Sequence, residues 1–242
     1  ETKFHEHAPL LFQLVNVVLE DRRWYYAFKD IEAVREKMLQ SPLILELNDY
    51  GAGTPQKRRV SVRKLARTAA SSPHQGRLLF RLAQWLKPER ILELGTSVGI
   101  GVMYLAAAAR QAELYSLDGS ADCTHVANTN LEVLNLHQKA QLKTGPFQET
   151  LSGALGALQQ VDLVFFDGHH QPEPTLNYFE KCLPYTHEKT VFVFDDIYWS
   201  AEMTEAWKQI QNHPAVTLTV DCFELAFVFL NPDFKIKQHF KL

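Results

Sequence analysis

The chain has 242 residues, 46% of them hydrophobic, and a formal net charge of −3. That length can bury a sizeable core in one domain with an appended segment. The mild acidity sets up no global field to draw the protein onto nucleic acid or a membrane surface. Cys123, Cys182 and Cys222 are odd in number, widely spaced and free of any Cys-x-x-Cys pattern. This speaks against a zinc knuckle or a disulfide framework and fits a reducing, cytoplasmic setting. Glu1-Thr-Lys-Phe-His lacks a basic stretch followed by an apolar one, so no signal peptide is expected. The longest nearly apolar run, Gly99 to Ala109, is too short to cross a bilayer.

In chain order, residues 1–86 read as a mainly helical cap or extension. Leu10, Leu11, Leu14, Val15, Val18 and Leu19 recur on one helical stripe. Asp30 is placed to cap a second helix running to Met38, ended by Ser41-Pro42. Asp49-Tyr-Gly-Ala-Gly-Thr-Pro55 reads as a loop. Further helices are expected over Val62–Ala70 and His74–Leu86, the latter opened by Ser72-Pro73. Phe4, Phe12, Trp24, Tyr25, Tyr26 and Phe28 form an aromatic cluster that suits an acceptor pocket, a dimer face or, most simply, core.

From residue 87 to 242 the pattern alternates strand and helix. Strands are expected at 90–95, 113–118, 140–145, 161–167, 190–195, 215–222 and 224–231, and helices at 99–110, 123–136, 147–159, 172–184 and 201–212. Strands separated by helices form a parallel sheet through right-handed crossovers. The last two strands have almost nothing between them and should make an antiparallel hairpin. The expected fold is α/β, a doubly wound, mostly parallel seven-stranded sheet. In such a sheet ligands lie beyond the carboxyl ends of the strands.

At the first of these ends stands Arg90-Ile-Leu-Glu-Leu-Gly-Thr-Ser-Val-Gly-Ile-Gly101, an apolar strand entering a glycine-rich turn before an apolar helix. Asp118 closes the next strand, placed to accept hydrogen bonds from ribose hydroxyls. Together they build a nucleotide-type cofactor site. Asp167 ends the fourth strand and Asp195-Asp196 the fifth, so three carboxylates should converge. Such a cluster repels itself unless a proton or cation intervenes, and an all-oxygen ligand set suits Mg2+, Ca2+ or Mn2+. Alternatively, single members cap a helix or bond loop amides. His169 and His170 follow Asp167 and are candidate general bases, or else solvated turn residues. Trp199 is placed to wall an aromatic substrate or to pack a helix.

Two other patterns bear on function. Gly95-x-x-x-Gly99-x-Gly101 with Tyr185-x-x-x-Lys189 has the spacings of an NAD(P)-dependent short-chain dehydrogenase. However, that loop normally opens the chain, and acidic strand ends serve no purpose in hydride transfer. Lys57 to Arg67 holds six basic residues and no acidic one. It would contact phosphates in a nucleic-acid methyltransferase, or form a solvated amphipathic segment with Val62, Leu65, Ala66 and Ala69 inward. The acidic chain favours the second.

With these residues in place, 70–231 resembles the class I S-adenosylmethionine-dependent methyltransferases, above all the catechol-type and macrocin-type small-molecule O-methyltransferases. The resemblance implies a sheet order of 3-2-1-4-5-7-6 with the last strand antiparallel. It implies cofactor contacts from Glu93, Gly95, Thr96, Ser97, Gly99, Asp118, Gly145, Phe147, Gln148 and Asp167, with Phe147 and Gln148 on the adenine side. It implies a divalent metal on Asp167, Asp195 and Asp196, a base at His169 or His170, a small-molecule hydroxyl acceptor and a homodimer. The catechol type has Asn where Asp196 stands and Lys where His170 stands. The macrocin type has an acid where His169 stands.

Overall fold

The computed structural model describes residues 9–49, 56–168 and 171–242. Among them, ten strands form two sheets. The main sheet carries β3 (Arg90–Leu94), β4 (Glu113–Asp118), β5 (Ala140–Thr144), β6 (Leu163–Phe166), β7 (Val191–Asp195), β8 (Leu218–Asp221), β9 (Leu225–Phe229) and β10 (Gln238–Lys241). Its order is β10-β8-β9-β7-β6-β3-β4-β5. The pairs among β3 to β7 are parallel, and β9 runs antiparallel to both β7 and β8. The seven expected strands therefore stand in the expected order. The eighth, β10, extends the sheet by pairing parallel to β8.

The strands read as apolar runs because both faces are covered. All four residues of β6 and all five of β7 and β9 are buried. One layer of helices comprises α5 (Ile100–Ala108) and α6 (Ala121–Val133), and the other α7 (Phe147–Leu158), α8 (Pro172–Cys182) and α9 (Ala201–Asn212). Helix α5 is buried at every position and so shows no amphipathic stripe. It is sandwiched between the sheet and the N-terminal region.

That region begins with α1 (Pro9–Gln13), which continues as a π-helix (Leu14–Leu19). Helix α2 spans Tyr26–Gln40, five residues earlier than an Asp30 cap would place it, and no side chain caps its start. Helices α3 (Val62–Thr68) and α4 (Pro73–Leu86) follow, α4 opening on a capping box between Ser72 and Gln75. The expected all-helical cap is corrected by an antiparallel hairpin of β1 (Ile44–Asp49) and β2 (Gln56–Ser61). Phe28 is buried against Tyr25, Phe80 and Tyr104 and belongs to the core, whereas Trp24 and Tyr26 are exposed. Phe4 lies outside the described residues. One apolar cluster runs from Leu11 and Phe28 through α4 and α5 to Phe165 and Val193 of the sheet. The N-terminal region and the sheet thus share a core.

Cys123, Cys182 and Cys222 are unbridged. Among the described residues no helix is long and apolar enough to cross a membrane.

Candidate active site

At the carboxyl ends of the strands lies a cavity of about 720 Å³. Its floor is the turn after β3. Gly95 has φ +112° and Gly99 φ +92°, both left-handed conformations that favour glycine. Each glycine also admits close packing. A Cβ on Gly95 would meet the Asp167 carbonyl, joining the ends of β3 and β6, and one on Gly99 would press 2.9 Å from Ala127 Cβ of α6. At Gly99 the missing side chain makes room for a neighbouring helix, and of the two glycines Gly95 lines the cavity.

Asp118 ends β4, its carboxylate accepting from the Ser97 amide at 2.7 Å and the Ser120 amide at 2.8 Å. It therefore spans the glycine turn and the start of α6. Burial pushes its pKa up to about 6, against the pull of the Ser120 and Ser97 amides. Gly145, at φ +144°, donates its amide to the Asp118 carbonyl at 2.9 Å and brings Phe147 and Gln148 to the same rim.

Glu93 lies beneath this turn, fully buried. Its Oε2 accepts from Ser116, whose hydroxyl is shared with Thr96. Its Oε1 has no partner among the described residues and faces Gly101, where any Cβ would collide with it. Burial pushes the carboxyl up to about 8, the Ser116 hydroxyl acting against it. Glu93 and Thr96 are therefore buried supports of the turn rather than parts of the cavity wall.

At the other end of the cavity stand Asp167, Asp195 and Asp196. Asp167 and Asp195 hydrogen-bond to each other, and both are raised, first by burial. Two carboxyls in contact share one proton. Ser71 donates to Asp167 Oδ2 at 3.2 Å, and Gln75 Nε2 to Asp195 Oδ1 at 2.9 Å. The Asp196 backbone is left-handed at φ +55°, and its amide bonds to Asp195. Among the described residues no group of three or more His, Cys, Asp or Glu is arranged to hold a metal ion. The expected metal trio is thus brought to one place but not assembled: two members pair through a proton, and protein donors take an oxygen of each. His169 and His170 lie outside the described residues.

Several wall residues are absent from the expected set. Gln75 comes from the start of α4; Ser71, just before that helix, is buried behind the wall, and Arg35, itself buried, donates to the Ser71 carbonyl at 2.7 Å. Leu47 and Arg58 come from the hairpin, and Lys64 and Thr68 from α3. The hairpin is held over the cavity by Ser120, which donates to the Glu46 carbonyl, and by Asp122, which accepts the Glu46 amide. Only the Ser72-Pro73 helix start and the basic run signalled these segments. Trp199 lines the cavity while remaining 67% exposed, as a residue on its lip would. Cys123 lines it too, but burial pushes its thiol up to about 12, so it is no nucleophile.

Residues 92–197 match the family described as Methyltransferase domain. A catechol O-methyltransferase of Niastella koreensis is 30% identical over 129 residues, which is 52% of this chain and 57% of that protein. Its counterpart in Mycobacterium tuberculosis is 29% identical over 129 residues, 53% of this chain and 57% of that one. The chain thus spans little more than half the length of these curated relatives. An O-methyltransferase from Bacillus cereus, solved in complex with SAH, superposes with a TM-score of 0.61 at 19% identity, over 90% of this chain and 96% of its own. The resemblance read from the glycine turn and the acidic strand ends is borne out, and the dehydrogenase reading is not. Tyr185 pairs its carbonyl with Val161 ahead of β6, and Lys189 lines a separate cavity with Pro88 and Asp162. Both lie at the opposite end of the sheet from the glycine turn.

Proposed function

We propose that this chain is an S-adenosylmethionine-dependent O-methyltransferase acting on the hydroxyl of a small molecule. The observation that carries this reading is Asp118, a carboxylate fixed by the amides of Ser97 and Ser120 on the rim of a cavity whose other end is acidic. A ribose presents two hydroxyls to such an acceptor. The SAH in the Bacillus cereus structure supports the choice of cofactor. The donor set also fits it: left-handed glycine backbone at Gly95, an acceptor at Asp118, and an aromatic and an amide at Phe147 and Gln148 for the adenine. Gly99, Gly145, Glu93 and Thr96 shape the turn, and Asp167 closes the far side.

When bound, S-adenosylmethionine supplies an electrophilic methyl. The chain's residues hold the acceptor oxygen in line with it. Positioning of this kind is worth up to ~7–11 kcal/mol of barrier. The acceptor hydroxyl must lose a proton as the oxygen–methyl bond forms. We assign that proton to His169 or His170, with the carboxylates of Asp167, Asp195 and Asp196 stabilising the imidazolium that forms. As placed, these carboxylates do not fit a divalent cation, and no step here is routed through one. A tenfold loss of rate in EDTA, restored by Mg2+, would put a cation on the pair, and equal rates would leave it a proton-sharing pair.

Within this reading residues 1–86 roof the acceptor end, 87–242 hold the cofactor, and the protein works as a cytoplasmic homodimer. The experiment is a calorimetric titration with S-adenosylhomocysteine, with NADPH as the control. Micromolar affinity for the first and none for the second is the expected result. Binding of NADPH alone would return the dehydrogenase reading.

A further inference from the structure

The basic run of residues 57–67 is not absorbed by the mechanism above. The structure divides it by face. On β2, Arg58 pairs in register with Leu47 and shares its face of the hairpin with the buried Val60 and Leu45. On α3, Val62, Leu65 and Ala66 are buried, while Lys64, Leu65 and Thr68 line the cavity. Two basic side chains from two elements therefore reach one cavity. Among the described residues, neither side chain has an ion pair or a hydrogen bond. Arg63, by contrast, donates to the Gln40 carbonyl, away from the cavity.

The cavity thus has walls of opposite sign. Asp118, Asp167, Asp195 and Asp196 stand at the strand ends, and Arg58 and Lys64 on the roof. A sulfonium is drawn to the acidic floor, and the cofactor's one carboxylate is the competing partner for the two cations above it. Arg58 and Lys64 are exposed at the cavity mouth, and the acidic strand ends beneath them would repel a polyphosphate backbone. A small anion suits the two cations, since guanidinium and ammonium groups pair strongly with carboxylate and phosphate oxygens.

We propose that the acceptor carries an anionic group, a carboxylate or a phosphate, which Arg58 and Lys64 engage while its hydroxyl is directed at the strand ends. This rests on the methyltransferase reading above and narrows its substrate class.

The test uses the whole chain saturated with S-adenosylhomocysteine, titrated with charged and neutral twins. The carboxylate arm compares 3,4-dihydroxybenzoate with its methyl ester, and the phosphate arm glucose 6-phosphate with glucose. We expect one charged member to bind about tenfold or more tighter than its twin, with the preference shrinking between about 50 and about 300 mM salt. In the doubly substituted Arg58→Gln, Lys64→Gln chain the preference falls to about twofold or less, with S-adenosylhomocysteine affinity unchanged. The arm that responds identifies the anion. Equal or absent binding of both twins in both arms overturns the proposal, as does a preference that survives the double substitution. Loss of S-adenosylhomocysteine affinity in the variant would assign the two cations to the cofactor's own carboxylate and overturn it equally. Failure of the unsubstituted chain to bind S-adenosylhomocysteine would instead overturn the reading beneath it.

Discussion

Replacing Glu93 by Gln isolates one buried carboxyl from everything else that titrates in this protein. Glu93 is fully buried, and burial raises it from 4.5 to about 8. Its folded-state pKa lies above its unfolded one, so its contribution to stability is fully present below about pH 4.5 and is lost as pH rises through about 8. Across that window the folded chain holds a proton that the unfolded chain has released, and each pH unit costs about 1.4 kcal/mol. Between about pH 5.5 and about pH 7.5 the unsubstituted chain should therefore lose about 3 kcal/mol relative to Glu93→Gln. For a chain of this size that is a relative fall in Tm of roughly 6–12 °C. Gln is a fair mimic of the neutral acid. It can still accept from Ser116, and like the protonated carboxyl it leaves a donor facing Gly101. Asp118, Asp167 and Asp195 titrate in both proteins and largely cancel in the difference. Urea unfolding of both chains across this range is the assay. Parallel stability curves would show that Glu93 is ionised in the folded state and would refute the account of the buried turn.

Other consequences are as direct. Asp118→Asn puts an NH2 against one of two amide donors and removes the charge offered to the ribose, so S-adenosylhomocysteine affinity should fall about 10- to 100-fold by calorimetry; a change under about twofold would remove Asp118 from the cofactor site. Gly95→Ala forces a Cβ onto a left-handed backbone and into the Asp167 carbonyl. It should cost roughly 2–4 kcal/mol in urea unfolding, and an unchanged midpoint would contradict that close approach. Gln75→Leu removes the donor to Asp195 and half of the Ser72 capping box. It should lower turnover while leaving S-adenosylhomocysteine affinity within about threefold, because the affected carboxylate stands at the acceptor end. A loss confined to cofactor affinity would place Gln75 elsewhere in the reaction.

The sheet was legible because its code is short-range. An apolar run, a turn residue and a helix recur five times from Arg90, and each strand end carries a polar marker such as Gly95, Asp118 or Asp167. Strand β10 escaped because Gln238-His-Phe-Lys241 has only one large apolar residue, and its place beside β8 is decided by a vacant edge rather than by its own composition. The β1–β2 hairpin escaped for a related reason. Gln56-Lys-Arg-Arg-Val-Ser61 reads as a charged segment, and what makes it a strand is pairing with Ile44–Asp49. Helix α2 begins at Tyr26 without a side-chain cap, so Asp30 offered a false start. The carboxylates were found as a group because topology brings neighbouring strand ends together. How they pair was not readable, since it depends on Ser71 and Gln75, about 96 and 120 residues away in the chain.

Those two contacts also show why the N-terminal region is part of the site. Arg35 of α2 fixes the Ser71 carbonyl, Ser71 and Gln75 fix the carboxylate pair, and the hairpin sits on Ser120 beside Asp118. Beneath them, Leu11, Phe28, Leu79, Tyr104 and Phe165 belong to one apolar cluster, so removing residues 1–86 would strip one face of α5. Helix α5 is buried at all nine positions and has no polar face to offer water. The segment matched to the methyltransferase domain should therefore not fold alone: unfolding of the whole chain should be one cooperative transition by circular dichroism and by tryptophan fluorescence. Trp85, on α4 and packed against the shared core, reports the N-terminal region, and Trp207, buried on α9, the far layer. Two separated transitions, with Trp85 released first and Trp207 still buried, would show instead that the roof and the cofactor-binding sheet are independent units.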